Sequence, residues 1–374
     1  CALPIWLVNL VSKRPTTEPV REVQVKVGSE GRKQLAGDFG GALTQDGEWS
    51  YRLTGLVRES GTFIDHVQDD RTYLAGALTW RPSAATSITW LADHQRNERG
   101  QGYQALPRVG TLDANPNGKV PSSRFLGEPG FDKFDQARTS IGYLLEHRVG
   151  DQLTLRQNLR HQRMDSDVNT IYMTGLKPDN RTVGRFGSRG EEEVTNTVLD
   201  NQAQLKWQHG LVEHTTLLGF DVQRMRNESR AEYGAFSDLD VYAPVYGQSP
   251  ISLALGADTH QRLRQTGVYL QDQIRIDKTW VATLGARRDS VRMNTDDRFN
   301  NERTASKDGA TTSRVGLVYL APMGWAPYIS YSESFVPVTG NIGDLITCVV
   351  NGANDDFDTD AETGFEGGHD PAFH

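Results

Sequence analysis

The sequence predicts an all-β protein, an antiparallel up-and-down transmembrane β-barrel that is incomplete. Three observations carry this reading. Apolar and polar residues alternate with a period of two along segments of ten or more residues. Short turns and long links between those segments alternate strictly from the second strand onward. No stretch approaches the roughly 18 consecutive apolar residues of a membrane helix, since the longest candidate, Cys1–Val11, is broken by Pro4 and Asn9. Hydrophobic residues make up 37% and mean hydropathy is −0.55, values typical of a soluble chain. A barrel strand offers only alternate residues to lipid, so this composition excludes membrane helices but not membrane strands.

In chain order the pattern predicts about thirteen strands, at 20–28, 34–43, 48–58, 71–81, 86–96, 136–149, 152–164, 193–208, 212–226, 262–276, 279–292, 310–321 and 325–335. Over 48–58, Trp49, Tyr51, Leu53 and Val57 share one face and Ser50, Arg52, Thr54 and Arg58 the other. Leu153, Leu155 and Leu159 oppose Thr154, Arg156, Asn158 and Arg160. Trp280, Ala282, Leu284 and Ala286 oppose Thr283, Arg287 and Asp289. Strands of soluble proteins average about five or six residues, whereas these reach the length that a tilted strand needs to cross a bilayer. Turns at 44–47, 82–85, 150–151, 209–211, 277–278 and 322–324 are short, and links at 59–70, 97–135, 165–192, 227–261 and 293–309 are long. Outer-membrane barrels combine short periplasmic turns with long extracellular loops. An Arg facing lipid at the midplane costs about 2–4 kcal/mol, which assigns the face of Arg52, Arg156 and Arg160 to an aqueous lumen. Asp272, in phase with Val268, Leu270 and Ile274, breaks the pattern and is expected at a membrane interface.

The net charge of −8 resides in the end of the chain, because residues 341–374 hold eight acids and no Lys or Arg. The remainder balances and leaves no nucleic-acid footprint. Two cysteines, Cys1 and Cys348, supply neither a disulfide framework nor a thiolate metal site. The nine histidines form no metal-binding spacing. The run Asp356, Asp358, Asp360 places Ala361 and Gly367 where a calcium loop needs Gly and Glu. No Gly-x-Ser-x-Gly occurs, so nothing suggests a hydrolase nucleophile. No catalytic residue, metal or resident cofactor is expected, and the chain is not read as an enzyme.

Several segments carry a resemblance. Leu7–Pro15 (Leu-Val-Asn-Leu-Val-Ser-Lys-Arg-Pro) resembles the segment that ends the plug of TonB-dependent siderophore receptors. Gln265–Gln273 and Tyr328–Phe335 resemble strands of the ferrichrome and ferrioxamine group, as does Thr154–Asn158, and Asn115–Lys119 resembles one of its loop motifs. The resemblance covers residues 7–340 and implies a barrel of about 22 strands closed by an N-terminal plug. It also implies a transporter in the outer membrane of a Gram-negative bacterium, binding a ferric siderophore of the hydroxamate type. TonB would act through an N-terminal segment that this sequence lacks.

The resulting organisation is 1–6 foreign to the chain, 7–19 the plug end and linker, and 20–340 a partial barrel. Residues 341–374 are then an acidic, disordered or frameshifted tail. Bulky, nearly neutral siderophore complexes suit aromatic contact with hydroxyl donors. The resemblance aligns Gly102–Pro107 with a ligand-binding loop of ferrichrome receptors, keeping Tyr103 and placing Ala105 where a tryptophan would stand. Tyr233 and Phe236, in the 227–261 link, are the other expected ligand contacts. The alternatives are a passive outer-membrane pore or other barrel protein, or a truncated fragment without function of its own. With two unpaired edges, the fragment alone is expected to aggregate.

Overall fold

The structure, a computed structural model, describes residues 11–100, 104–337 and 362–366. Residues 1–6, Tyr103 and most of the acidic tail lie outside the described residues. One antiparallel sheet of fifteen strands accounts for the fold. In chain order these are β1 (Val20–Val27), β2 (Lys33–Ala42), β3 (Trp49–Glu59), β4 (Asp70–Ser83), β5 (Thr86–Gly100) and β6 (Lys133–Val149). Then come β7 (Leu153–Leu176), β8 (Thr182–His209), β9 (Val212–Asp240), β10 (Ala254–Ile276) and β11 (Trp280–Asp297). β12 (Glu302–Asp308), β13 (Thr311–Tyr319), β14 (Tyr328–Ser334) and β15 (Glu362–Glu366) complete the set. Each strand pairs with its sequence neighbour, except that β12 is a side hairpin on β11 and β13 pairs β11 beyond it. β1 and β15 end the sheet and do not pair with each other among the described residues.

The strands outnumber the predicted thirteen for two reasons. Asp297 turns the chain into β12 by accepting the Asn300 N–H at 2.9 Å, with Asn301 in the left-handed region. β15 lies within the tail read as structureless, where it takes the open edge of β14; an unpaired backbone edge is a template for any extended segment. β7, β8 and β9 run to 24, 28 and 29 residues, so most of the predicted links at 165–192 and 227–261 is strand. Beyond the bilayer neither face meets lipid, so polar side chains suit both faces and the alternation that marks a membrane strand disappears.

Register divides the sheet into two faces. Asp38 stands opposite Thr54, Arg52 opposite Ala77, and Asp93 opposite Ser140, placing the charged groups on one face. Leu53, Leu74, Trp90, Ile141, Phe220, Val268 and Leu284 lie exposed on the other. Near the short turns that outward face carries aromatics. Trp49 stacks on Trp80 and on Trp90 at 5.6 and 6.2 Å, and Trp207 stacks on His214 at 3.8 Å. Such rings form the interfacial girdle of membrane barrels. Asp272 belongs to this belt. It accepts hydrogen bonds from Thr216 at 2.9 Å and pairs with His214 at 2.7 Å, five residues from the turn at Asp277.

The lumenal face is a set of closed charge networks. Arg52 and Lys13 both meet Asp38 at 2.5 Å, and the Asp38 carboxylate is almost fully buried. Lys13 belongs to the segment that precedes β1, so this contact holds that segment against the inside of the wall. Arg287 bridges Asp221 at 2.6 Å and Asp289 at 2.7 Å. Beside it the Tyr269 ring lies flat over Gly219, so that a Cβ at Gly219 would fall inside the ring. The Tyr269 hydroxyl then donates to Asp200 at 2.8 Å. Gly219→Val should expel the ring and leave Asp200 with only the Gln202 amide as donor. The expected result is a barrel that unfolds about 2 kcal/mol more easily, read from the temperature at which its gel mobility shifts; an unchanged transition would refute the ring's role.

Candidate functional site

The loop between β5 and β6 packs onto the external ends of β7, β8 and β9. Its Val120 and Leu126 join Val183, Leu239 and Val241 in a cluster that is essentially solvent-free. The Asn-Pro-Asn-Gly-Lys motif explains how the loop docks. Asn115 donates to the Asn180 carbonyl at 2.8 Å and Asn117 to the Asp179 carbonyl at 3.1 Å, both at the tip joining β7 to β8. Gly118, at φ 96°, turns its carbonyl to accept from the Tyr242 hydroxyl at 2.8 Å.

At the centre of this layer lies a buried ion pair. Arg185 of β8 and Glu128 of the loop meet at 2.8 Å with side-chain exposures of 0% and 1%. Every direction of the pair is satisfied. Arg185 also donates to the carbonyls of Leu126, Gly127 and Ser237, and Glu128 accepts the N–H groups of Gly247 and Gln248. The pair therefore joins three chain segments: the 104–132 loop, the β8–β9 hairpin, and the 241–253 loop. Next to it, burial pushes the Asp132 carboxyl up to about 6, although the N–H groups of Glu128 and Ile171 and the Arg185 charge oppose the shift.

The predicted contact residues divide across the two faces of β9. Phe236 is 3% exposed and packs on Phe131 at 4.8 Å, inside the layer. Tyr233, three residues earlier, points to the opposite face, the one shared with Asp221, and is 42% exposed. Their separation by an odd number of strand residues prevents them from facing one pocket. Tyr233 stacks instead on Phe186 of β8 at 6.4 Å and 12°, and Phe186 stands opposite Tyr172 of β7. All three rings are about two-fifths exposed. They form a diagonal row of aromatic surface above the lumenal charge networks. Periodicity could not find Phe186 or Tyr172, because both lie in segments without membrane-type alternation. Among the described residues no group of His, Cys, Asp or Glu is arranged to hold a metal ion.

Residues 36–366 match the family described as TonB dependent receptor-like, beta-barrel. The chain belongs to this family. It is therefore an outer-membrane receptor barrel of a Gram-negative bacterium, in a family of receptors and transporters. It is 32% identical over 337 residues to the ferrioxamine B receptor of Salmonella typhimurium, covering 90% of this chain and 48% of that protein. It is 36% identical over 361 residues to the ferrichrome outer membrane transporter/phage receptor of Escherichia coli, covering 89% and 48%. The chain thus spans about half the length of the curated relatives it matches. Among solved structures, the ferric-catecholate import receptor Fiu of E. coli superposes with a TM-score of 0.79 at 17% identity, over 87% of this chain and 56% of that one. The ferripyoverdine receptor of Pseudomonas aeruginosa gives 0.73 at 20% identity, over 87% and 44%. These structures share the fold of the receptor barrel.

Two outcomes test the packed layer. Glu128→Ala leaves Arg185 charged and buried, which costs about 3–5 kcal/mol; amide exchange at Gly247 and Gln248 should accelerate, and unchanged exchange would refute the lock. The second concerns pH. Folded Asp132 keeps its proton to about 6 against an ordinary 3.8, so its contribution to the layer is complete below 3.8 and lost as pH rises through about 6. After correction for intrinsic rates, protection of the Ile171 amide should be up to about a hundredfold higher below pH 3.8 than at neutral pH. Asp132→Asn should flatten that difference.

Proposed function

We propose that this chain is the barrel portion of a receptor that captures a ferric siderophore of the hydroxamate type and imports it with TonB-coupled energy. The observation that carries the reading is the exposed aromatic row of Tyr172, Phe186 and Tyr233 at the external mouth, on the lumenal face. Exposed rings, two of them bearing phenolic hydroxyls, suit contact with a bulky neutral chelate. Ferrioxamine B and ferrichrome, named for the two relatives at 32% and 36% identity, are ligands of this chemistry. Iron enters as cargo held by the siderophore, so the protein needs no metal site. Tyr103, which lies outside the described residues, joins the proposed contact set on the resemblance alone, while Phe236 supports the row from behind through its packing on Phe131.

The Lys13–Asp38 clasp favours a plugged receptor over an open pore, since it holds the pre-barrel segment inside the lumen. TonB would engage the plug that this segment ends.

Tryptophan fluorescence quenching of the full-length receptor, titrated with ferrichrome and with ferrioxamine B, tests the cargo. Saturable quenching by at least one is expected, and failure of both would end the hydroxamate reading. Tyr233→Ala should weaken binding by up to about tenfold, in line with the roughly 0.5–1.5 kcal/mol that a stacked aromatic contributes; Tyr103→Ala should do likewise. Wild-type affinity in either variant would remove that residue from the site.

A further inference from the structure

Above the lumenal charge networks the two faces of β7, β8, β9 and β10 diverge in chemistry. Their outward face carries Arg163, Asp165, Glu193, Glu228, Arg230 and Asp258. At the same height the lumenal face carries amides, thioethers and small side chains instead. Register sets Gln162 opposite Asn196, Asn196 opposite Met225, and Gln223 opposite Gln265. Two residues farther from the short turns, Met164 stands opposite Val194, and Val194 opposite Asn227. In the described stretches 162–168, 190–198, 223–231 and 257–265, the single charged side chain on the lumenal face is Glu192. Asn227 already donates to its carboxylate at 3.0 Å. These strands therefore form an uncharged collar inside the mouth of the barrel.

Neither strand chemistry nor burial imposes this neutrality. The outward face of the same strands bears charge, and lower on the lumenal face Asp200, Asp221 and Arg287 hold charge beside water. The collar amides are half-buried and tied into a network. Gln223 donates to Asn196 at 3.1 Å, and Gln265 donates to Asp289 at 2.8 Å, which joins the collar to the Arg287 cluster. Tyr233 lies twelve residues above Asp221 on β9, about 40 Å of strand at roughly 3.3 Å per residue. At the lower rim, Val11 and Ser12 of the pre-barrel segment line a cavity of about 420 Å³ with Gln162 and Asn196. A chelate moving from the aromatic row to that segment must cross the collar.

We propose that the collar is the surface along which the cargo passes inward, and that it selects chelates without net charge. An amide offers both donors and an acceptor, so Asn196 and Gln223 can bond hydroxamate oxygens and the amide groups of the siderophore in turn. Each such bond is weak and exchangeable, the property that lets a selective passage release what it holds. A fixed charge would hold an oppositely charged cargo and repel a like one. An ionic chelate, for its part, gives up hydration against an uncharged wall and finds no partner there. The selectivity presupposes the neutral hydroxamate cargo proposed above, and it places discrimination after capture at the aromatic row.

The test uses the full-length receptor and two ferric trihydroxamates of similar size, neutral ferrichrome and a ferrichrome analogue bearing carboxylates. Binding is read by tryptophan fluorescence quenching of the purified protein. Import is read by uptake of radiolabelled iron into cells that make no other siderophore receptor. The wild type should bind the two chelates within about threefold but import the neutral one about tenfold faster. The double variant Asn196→Lys, Gln223→Lys should keep its affinity for ferrichrome and bring the two import rates within about threefold of each other. The double variant Asn196→Leu, Gln223→Met, which keeps the wall uncharged, should retain the preference. Equal import of the two chelates by the wild type overturns the proposal, as does a preference already complete at binding. An undiminished preference in the Lys variant at wild-type affinity also overturns it. Absence of quenching by any hydroxamate would end the cargo reading itself, whereas quenching without selective import ends only the role of the collar. The wild-type comparison decides even where a variant fails to fold.

Discussion

In hydrocarbon no water is available to bond a free peptide group, so each N–H and C=O of the spanning backbone must find a protein partner. The continuous ladder from β1 through β11 to β13 and β14 meets that demand, and most of the other features follow from it. A strand that is bonded along both sides has only its two faces left for chemistry. One faces the bilayer and becomes apolar, with rings at the interface. The other faces water and can hold charge at low cost, which is why Asp38, Asp93 and Asp221 all occur there with arginine partners.

Above the bilayer the same ladder continues under different rules. β7, β8 and β9 project far beyond the membrane, and there both faces of each strand become usable for loops and ligands. One face is covered by the 104–132 loop and locked by Arg185 and Glu128. The opposite face keeps Tyr172, Phe186 and Tyr233 open. A buried pair of this kind contributes little net stability compared with an apolar core of the same volume, but it tolerates no partner other than its own. Its value lies in fixing which loop sits where.

The sequence was legible where lipid imposes a period of two. The membrane strands, the short turns, the lumenal side of Arg52 and Arg160 and the interfacial place of Asp272 all follow from alternation and charge. Legibility ended at the membrane surface. There the β7–β9 extensions lose their alternation and read as loops, and Tyr233 and Phe236 read as neighbours in one loop although strand geometry sends them to opposite faces. The Arg185–Glu128 pair joins residues 57 positions apart, with no local pattern to announce it. The Asn115–Lys119 motif was visible as a family feature, but its physical work, docking the loop on the Asp179–Asn180 tip, required the fold.

The three-way junction at the Arg185–Glu128 pair has a mechanical consequence. Two loops and a hairpin that meet at one buried ion pair cannot swing separately, because displacing any of them leaves a charge short of partners in a dry interior. The external mouth over β7–β9 therefore behaves as a single stiff lever mounted on the barrel wall.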